Sequence, residues 1–161
     1  MILILHNIRS VHNVGSIFRS ADAAGVSKII LSGYTPTPID RFGRERSDFS
    51  KVSLGAEKTV PWVQVQTLGP TLTTLRAQHY FLAAIEQDAR SHNLFTFTLP
   101  ASSTDEKLVL LLGNEVRGIS KPLLRHCSAI LEIPMHGKKE SLNVSVTAGI
   151  ALFTLKNKKN L

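Results

Sequence analysis

"LVLLLGNEVRGIS", residues 108 to 120, is five aliphatic residues in a row that stop on a glycine and turn polar at once. Such a run has no alternating polar partner, so it offers no face to water. It reads as a strand covered on both sides. Working outward, similar short runs rich in β-branched residues occur at 2–5 (ILIL), 28–31 (KIIL), 60–65 (VPWVQV), 80–85 (YFLAAI) and 129–133 (AILEI). Helical spacing lies between them, at about 15–24, 68–78, 121–126 and 142–156. Strands alternating with helices predict an α/β fold on a mostly parallel sheet with helices on both faces.

The 161 residues make about one ordinary domain, and 43% apolar content suffices for a core. No repeat, low-complexity tract or linker interrupts them, so a single domain over 1–161 is expected. The one cysteine, Cys127, excludes an intramolecular disulfide and is assigned to packing. No stretch approaches the roughly 20 apolar residues that span a bilayer, and Met1 to Leu5 is too short for a signal peptide. A cytoplasmic protein with no membrane association is expected. The tail KNKKNL, 156–161, reads as a frayed basic end.

The formal charge of +7 and sequence pI near 9.9 suit a phosphate-rich partner. Residues 32–58 fit neither periodicity and read as one long surface connection. They carry Arg41, Arg44, Arg46, Lys51 and Lys58, a candidate nucleic-acid patch. Phe42 and Phe49 serve either to stack on bases or to anchor the segment.

The chain has no GxSxG elbow, HExxH helix, Walker loop or GxGxxG turn, and its histidines lack metal-ligand spacing. What it has is three polar, glycine-containing turns, each after a strand. In the first, Asn13 is a candidate N-cap, Gly15 opens a helix, and Arg19 lies one turn further on. In the second, Gly113-Asn114-Glu115 meets Gly118, which either leaves backbone amides free beside a carboxylate or starts a helix with Glu115 in its first turn. In the third, Gly137 breaks the chain, Ser141 stands where an N-cap belongs, and Asn143 is a polar residue at the mouth of an apolar helix.

Together these turns resemble the three motifs of the SpoU, or TrmH-like, branch of the SPOUT RNA methyltransferases. The first is Asn13, Gly15 and Arg19, followed by Ala21 and Gly25. The second is Gly113, Glu115 and Gly118, and the third is Ile133 to Met135 with Ser141 to Ser145. SLGAEKTVPW at 53–62 matches as well, so the resemblance covers nearly the whole chain.

The resemblance implies a C-terminal deep trefoil knot, a homodimer and S-adenosylmethionine as cofactor. It implies methyl transfer to a ribose 2'-hydroxyl of tRNA or rRNA. By position, Ile85, Gly113, Ile133, Ser141 and Leu142 would hold the cofactor. Arg19 would be the catalytic arginine, with Asn13, Glu115, Ser141 and Asn143 around it. A guanidinium pKa above about 12 suits clamping a phosphate better than accepting a proton, and both roles stay open.

Val116 departs from the family's second motif, where many relatives carry a further glycine. A chain beginning at the first strand and stopping soon after the last helix is expected to lack a separate RNA-binding extension. RNA contact then falls on the dimer surface and on the basic segment from Arg41 to Lys58, with Arg41, Arg44, Arg46 and Lys51 as the candidate contacts. The alternatives are a non-catalytic RNA-binding module of the same fold, or methylation of a base.

Overall fold

The computed structural model describes residues 1–100 and 107–158, so the last three residues of the basic tail lie outside it. In chain order the elements are β1 (Ile2–His6), α1 (Val11–Ala23), β2 (Lys28–Ser32), α2 (Ser47–Ser53), α3 (Ala56–Thr59) and β3 (Trp62–Val65). Then come α4 (Leu68–Ala77), β4 (Phe81–Ile85), β5 (His92–Asn93), β6 (Leu108–Leu112), α5 (Lys121–Leu124), β7 (Ala129–Glu132) and α6 (Val144–Asn157). The seven strands form one sheet in the order β3-β2-β1-β6-β4-β7-β5, every pairing parallel.

Parallel strands need both faces covered, and the side chains divide accordingly. Leu3, Leu5, Ile29, Leu31, Leu110 and Leu112 point into one core, closed by Ile17 and Phe18 of α1 and by Ala148 and Leu152 of α6. Ile2, Ile4, Ile30, Val109 and Leu111 point into the other, closed by Leu72 and Leu75 of α4 and Leu124 of α5. The two-residue period is present, but both of its phases are apolar. Half-buried Cys127 packs against the second core, and burial pushes its thiol up to about 11, which suits packing. No helix among the described residues is long and apolar enough to cross a membrane.

Three expectations need correction. The first helix starts at Val11, not near Gly15, and its cap is Ser10, whose hydroxyl accepts the Asn13 N–H at 3.2 Å. Gly15 lies inside the helix, where a Cβ would stand 3.1 Å from Val52 Cβ and 3.2 Å from the Phe49 carbonyl oxygen. The glycine therefore lets a second helix lie close. That helix is α2, so residues 47–59 are not an irregular connection but two short helices packed on α1. Phe49 is fully buried, edge-on to Phe18 at 5.2 Å, which makes it the anchor. Lastly, α6 begins at Val144 and its cap is Asn143, not Ser141. Strand β5, two residues long, is too short to leave a periodicity.

Candidate active site

The turn after β6 is built by its own side chains. Asn114, only 8% exposed, accepts the N–H groups of Val116 at 3.0 Å and Arg117 at 2.7 Å through Oδ1. Gly118 N–H donates to the Asn114 carbonyl at 2.9 Å, and Ile119 N–H donates to Glu86 Oε2 at 2.7 Å. The backbone amides expected to await a ligand are thus satisfied, and no helix starts at Glu115. At Gly118, φ is +62° and a Cβ would fall 2.2 Å from Glu86 Oε2, so only glycine closes this turn without strain. A Cβ on Gly113 would sit 2.4 Å from Ile119 Cγ1.

What the turn presents is the Glu115 carboxylate. It accepts the Arg9 N–H at 3.1 Å and the Asn13 Nδ2 at 3.1 Å. Facing a charged acceptor fixes the Asn13 amide, whose Oδ1 is then left to accept Asn143 Nδ2 at 3.2 Å. Asn143 Oδ1 in turn caps α6, accepting Ser145 N–H at 2.8 Å and its hydroxyl at 2.7 Å. Three of the expected catalytic residues therefore form one chain, Glu115–Asn13–Asn143. Burial pulls the Glu115 pKa up, but its own backbone, the Arg9 N–H and the Asn13 amide outweigh that, and the net direction is down. The group is a carboxylate at neutral pH.

Arg19 does not join them. Six residues beyond Asn13 on α1, it is turned about 120° around the helix and sits about 9 Å further along it. It is exposed and has no partner among the described residues. Ser141 is exposed just before α6.

Ser141 does line a cavity of about 300 Å³ at the carboxyl ends of β4, β6 and β7. Ile85, Gly113, Ile133 and Leu142, the other expected cofactor residues, line it too. Four acidic residues share its wall, Glu86, Glu115, Glu132 and Glu140, and no lysine, arginine or histidine does among the described residues. In a chain of net charge +7 this is a concentrated negative pocket. Sequence reasoning missed Glu86, Glu132 and Glu140, because only the sheet order brings these distant positions together.

A second polar cluster braces the ends of β1 and β2. Tyr34 N–H donates to Asn7 Oδ1 at 3.2 Å, so Asn7 Nδ2 faces His6 Nε2 at 3.0 Å, and His6 Nδ1 meets Ser32 Oγ at 2.8 Å. Burial lowers the His6 pKa, and the neutral ring with its proton on Nδ1 satisfies both contacts. Asn114 Nδ2 ties this cluster to the β6 turn through the Asn7 carbonyl and the Tyr34 hydroxyl, both at 2.9 Å.

In the basic segment, carboxylates hold most of the charge. Arg44 pairs with Asp40 at 2.8 Å, Arg46 with Asp48 at 2.7 Å, and Lys58 with Glu45 at 3.0 Å. Arg41 and Lys51 have no ion pair among the described residues. The guanidinium carbons of Arg41 and Arg44 lie 4.7 and 5.0 Å from the centre of the exposed Phe42 ring.

An all-parallel sheet with a shaped cavity at its carboxyl edge, walled by the segments that follow β4, β6 and β7, defines an α/β protein of the ligand-binding class. The chain belongs to the SpoU rRNA Methylase family, whose pattern matches residues 1–153. A 23S rRNA (guanosine-2'-O-)-methyltransferase, RlmB, of Salmonella typhi is 34% identical over 152 residues, covering 94% of this chain and 58% of that protein. The protein of the same name from Xylella fastidiosa is 33% identical, covering all of this chain and 60% of its own length. The chain thus spans about three-fifths of these relatives. Among solved structures, an AdoMet-bound rRNA methyltransferase from Sinorhizobium meliloti superposes with a TM-score of 0.81 at 29% identity, covering 99% of this chain and 56% of that one.

Proposed function

We propose that this chain transfers a methyl group from S-adenosylmethionine to a ribose 2'-hydroxyl of structured RNA. The relatives named for 23S rRNA put rRNA ahead of tRNA as substrate. The observation that carries the reading is the acidic cavity ending at the Glu115–Asn13–Asn143 chain. When bound, S-adenosylmethionine supplies an electrophilic methyl group on a sulfonium. The pocket fits that group: Ile85, Ile133 and Leu142 offer apolar walls for an adenine, and the four carboxylates suit a ligand bearing sulfonium and ammonium charges.

The residues of this chain then have distinct tasks. Glu115, held ionised, fixes Asn13, and Asn13 fixes Asn143 at the cavity mouth. Asn143 and Ser141 orient the ribose so that its 2'-oxygen faces the cavity. Arg19 clamps the neighbouring phosphate and favours loss of the hydroxyl proton. Because Arg19 lies off the cluster, it serves the site of a second copy. The homodimer would be packed on the exposed apolar ridge of α6, which carries Val146 and Phe153 with Leu142 just before it. The reading includes a single catalytic domain acting in the cytoplasm. It also includes threading of the segment after β6 into a trefoil knot, which is supported by the placement of β6 and β7 on either side of β4.

Labelled S-adenosylmethionine incubated with ribosomal RNA should place tritium in the RNA, and nucleoside mass spectrometry should find it on ribose. Label on a base would move the reading to base methylation. A wild-type chain that binds the cofactor but labels no RNA pool would leave the non-catalytic module. Arg19→Ala and Asn143→Ala should each be inactive. Mixed and re-annealed, they should regain about a quarter of wild-type activity, because half the dimers then hold one complete site.

A further inference from the structure

The basic segment is the obvious place for RNA to dock, yet two of its three arginines are held by carboxylates. The rim of the cavity is different. Arg9 and Arg117 are both exposed, and neither side chain has a partner among the described residues. Their backbones are fixed firmly: Arg9 N–H donates to Glu115, and Arg117 N–H donates to Asn114. Tyr34, 59% exposed, reaches the same turn from the segment after β2. Its hydroxyl accepts Asn114 Nδ2, its N–H donates to Asn7, and Thr35 beside it accepts Ile8 N–H at 3.1 Å. An exposed ring normally has rotational freedom, but this one is tied by its hydroxyl to the turn that carries Glu115 and by its backbone N–H to Asn7 just after β1.

We propose that Tyr34 is the platform on which an unpaired nucleobase next to the reacting ribose stacks, with the exposed Arg9 and Arg117 guanidiniums taking its flanking phosphates. The proposal rests on the RNA methyl-transfer reading and adds the element that holds the target strand. A rigid aromatic face gains stacking with any base, and unpaired arginines lose no existing ion pair on meeting a phosphate. The hydroxyl positions the ring. The ring touches RNA.

The test is a binding titration by fluorescence anisotropy, using the full chain at fixed salt. The probes are a labelled twelve-nucleotide oligouridylate, its abasic counterpart and a twelve-base-pair RNA duplex. Tyr34→Leu should weaken oligouridylate binding by about 10-fold while leaving the abasic and duplex probes unchanged. Tyr34→Phe, which keeps the ring, should stay within about 3-fold of wild type. Arg9→Gln and Arg117→Gln should each reduce the slope of log affinity against log salt by about one. Wild-type binding equal on oligouridylate and abasic probes would overturn the proposal. So would a Tyr34→Phe loss as large as that of Tyr34→Leu, which would make the residue a brace for Asn114. Calorimetric titration with S-adenosylmethionine separates the two readings. All four variants should bind it like wild type, whereas a wild-type chain that fails to bind it overturns the methyl-transfer reading and leaves the stacking result to be judged on its own.

Discussion

The cavity and its rim are a few residues apart and carry opposite charge. Among the described residues the cavity gathers four carboxylates and no cation, while the rim holds Arg9 and Arg117 without partners. On the proposed reading, net charge blends two demands: a cationic small molecule inside and a polyanion outside. The Arg44 and Arg46 ion pairs show that a local count of arginines is a poor guide to docking, because a paired guanidinium must first give up its carboxylate.

The seam between the two regions should give the largest effect. Asn143→Ala removes both the helix cap and the link to Asn13, and methyl transfer should drop by about 100-fold or more. Cofactor affinity by calorimetry should change little. A parallel loss of cofactor binding would show that seam and cavity are one unit. Next, Glu86→Gln removes a charge from the cavity wall and weakens the brace on Ile119 N–H, so cofactor affinity should fall about 10-fold. RNA binding should be unaffected, and an RNA defect would erase the distinction between cavity and rim. Smaller still, Arg44→Gln should change the salt slope of RNA binding by clearly less than the slope change of about one expected for Arg9→Gln. An equal change would return the docking surface to the basic segment.

The smallest effect concerns pH. His6 has its folded pKa below its ordinary value because it is buried. The unfolded chain then binds more protons there, so stability is full above the ordinary histidine range and falls as pH drops through it. Protonation would also turn Nε2 into a donor facing Asn7 Nδ2. Thermal unfolding followed between pH 7 and 5 should show a decline in the wild type that is shallower in His6→Gln.

Much of the fold was legible because buried parallel strands announce themselves as unbroken apolar runs, and β1, β2, β4, β6 and β7 all do. What escaped was structure set by packing. Residues 47–59 look like a charged loop, and only the space opened by Gly15 reveals why α2 forms there. At the candidate site, Asn13, Glu115 and Asn143 stood out from their turns and are hydrogen-bonded together, and the five positions expected to hold the cofactor line one cavity. The capping roles were misplaced by a few residues at each helix, since Ser10 and Asn143 compete in sequence with Asn13 and Ser141. Glu86, Tyr34 and the Asn114 brace were invisible, because their partners come from elements far apart in the chain.

The 3.2 Å bond between Asn13 and Asn143 joins residues 130 positions apart. During synthesis, one half leaves the ribosome near the start of the chain and the other near the end of the described sequence. Until α6 has emerged and been capped, Asn13 holds only Glu115, and the cavity lacks the wall that Ser141, Leu142, Val144 and Thr147 supply. The cavity is thus completed by one of the last elements of the described sequence to be made, and a single amide pair ties that element back to the first helix.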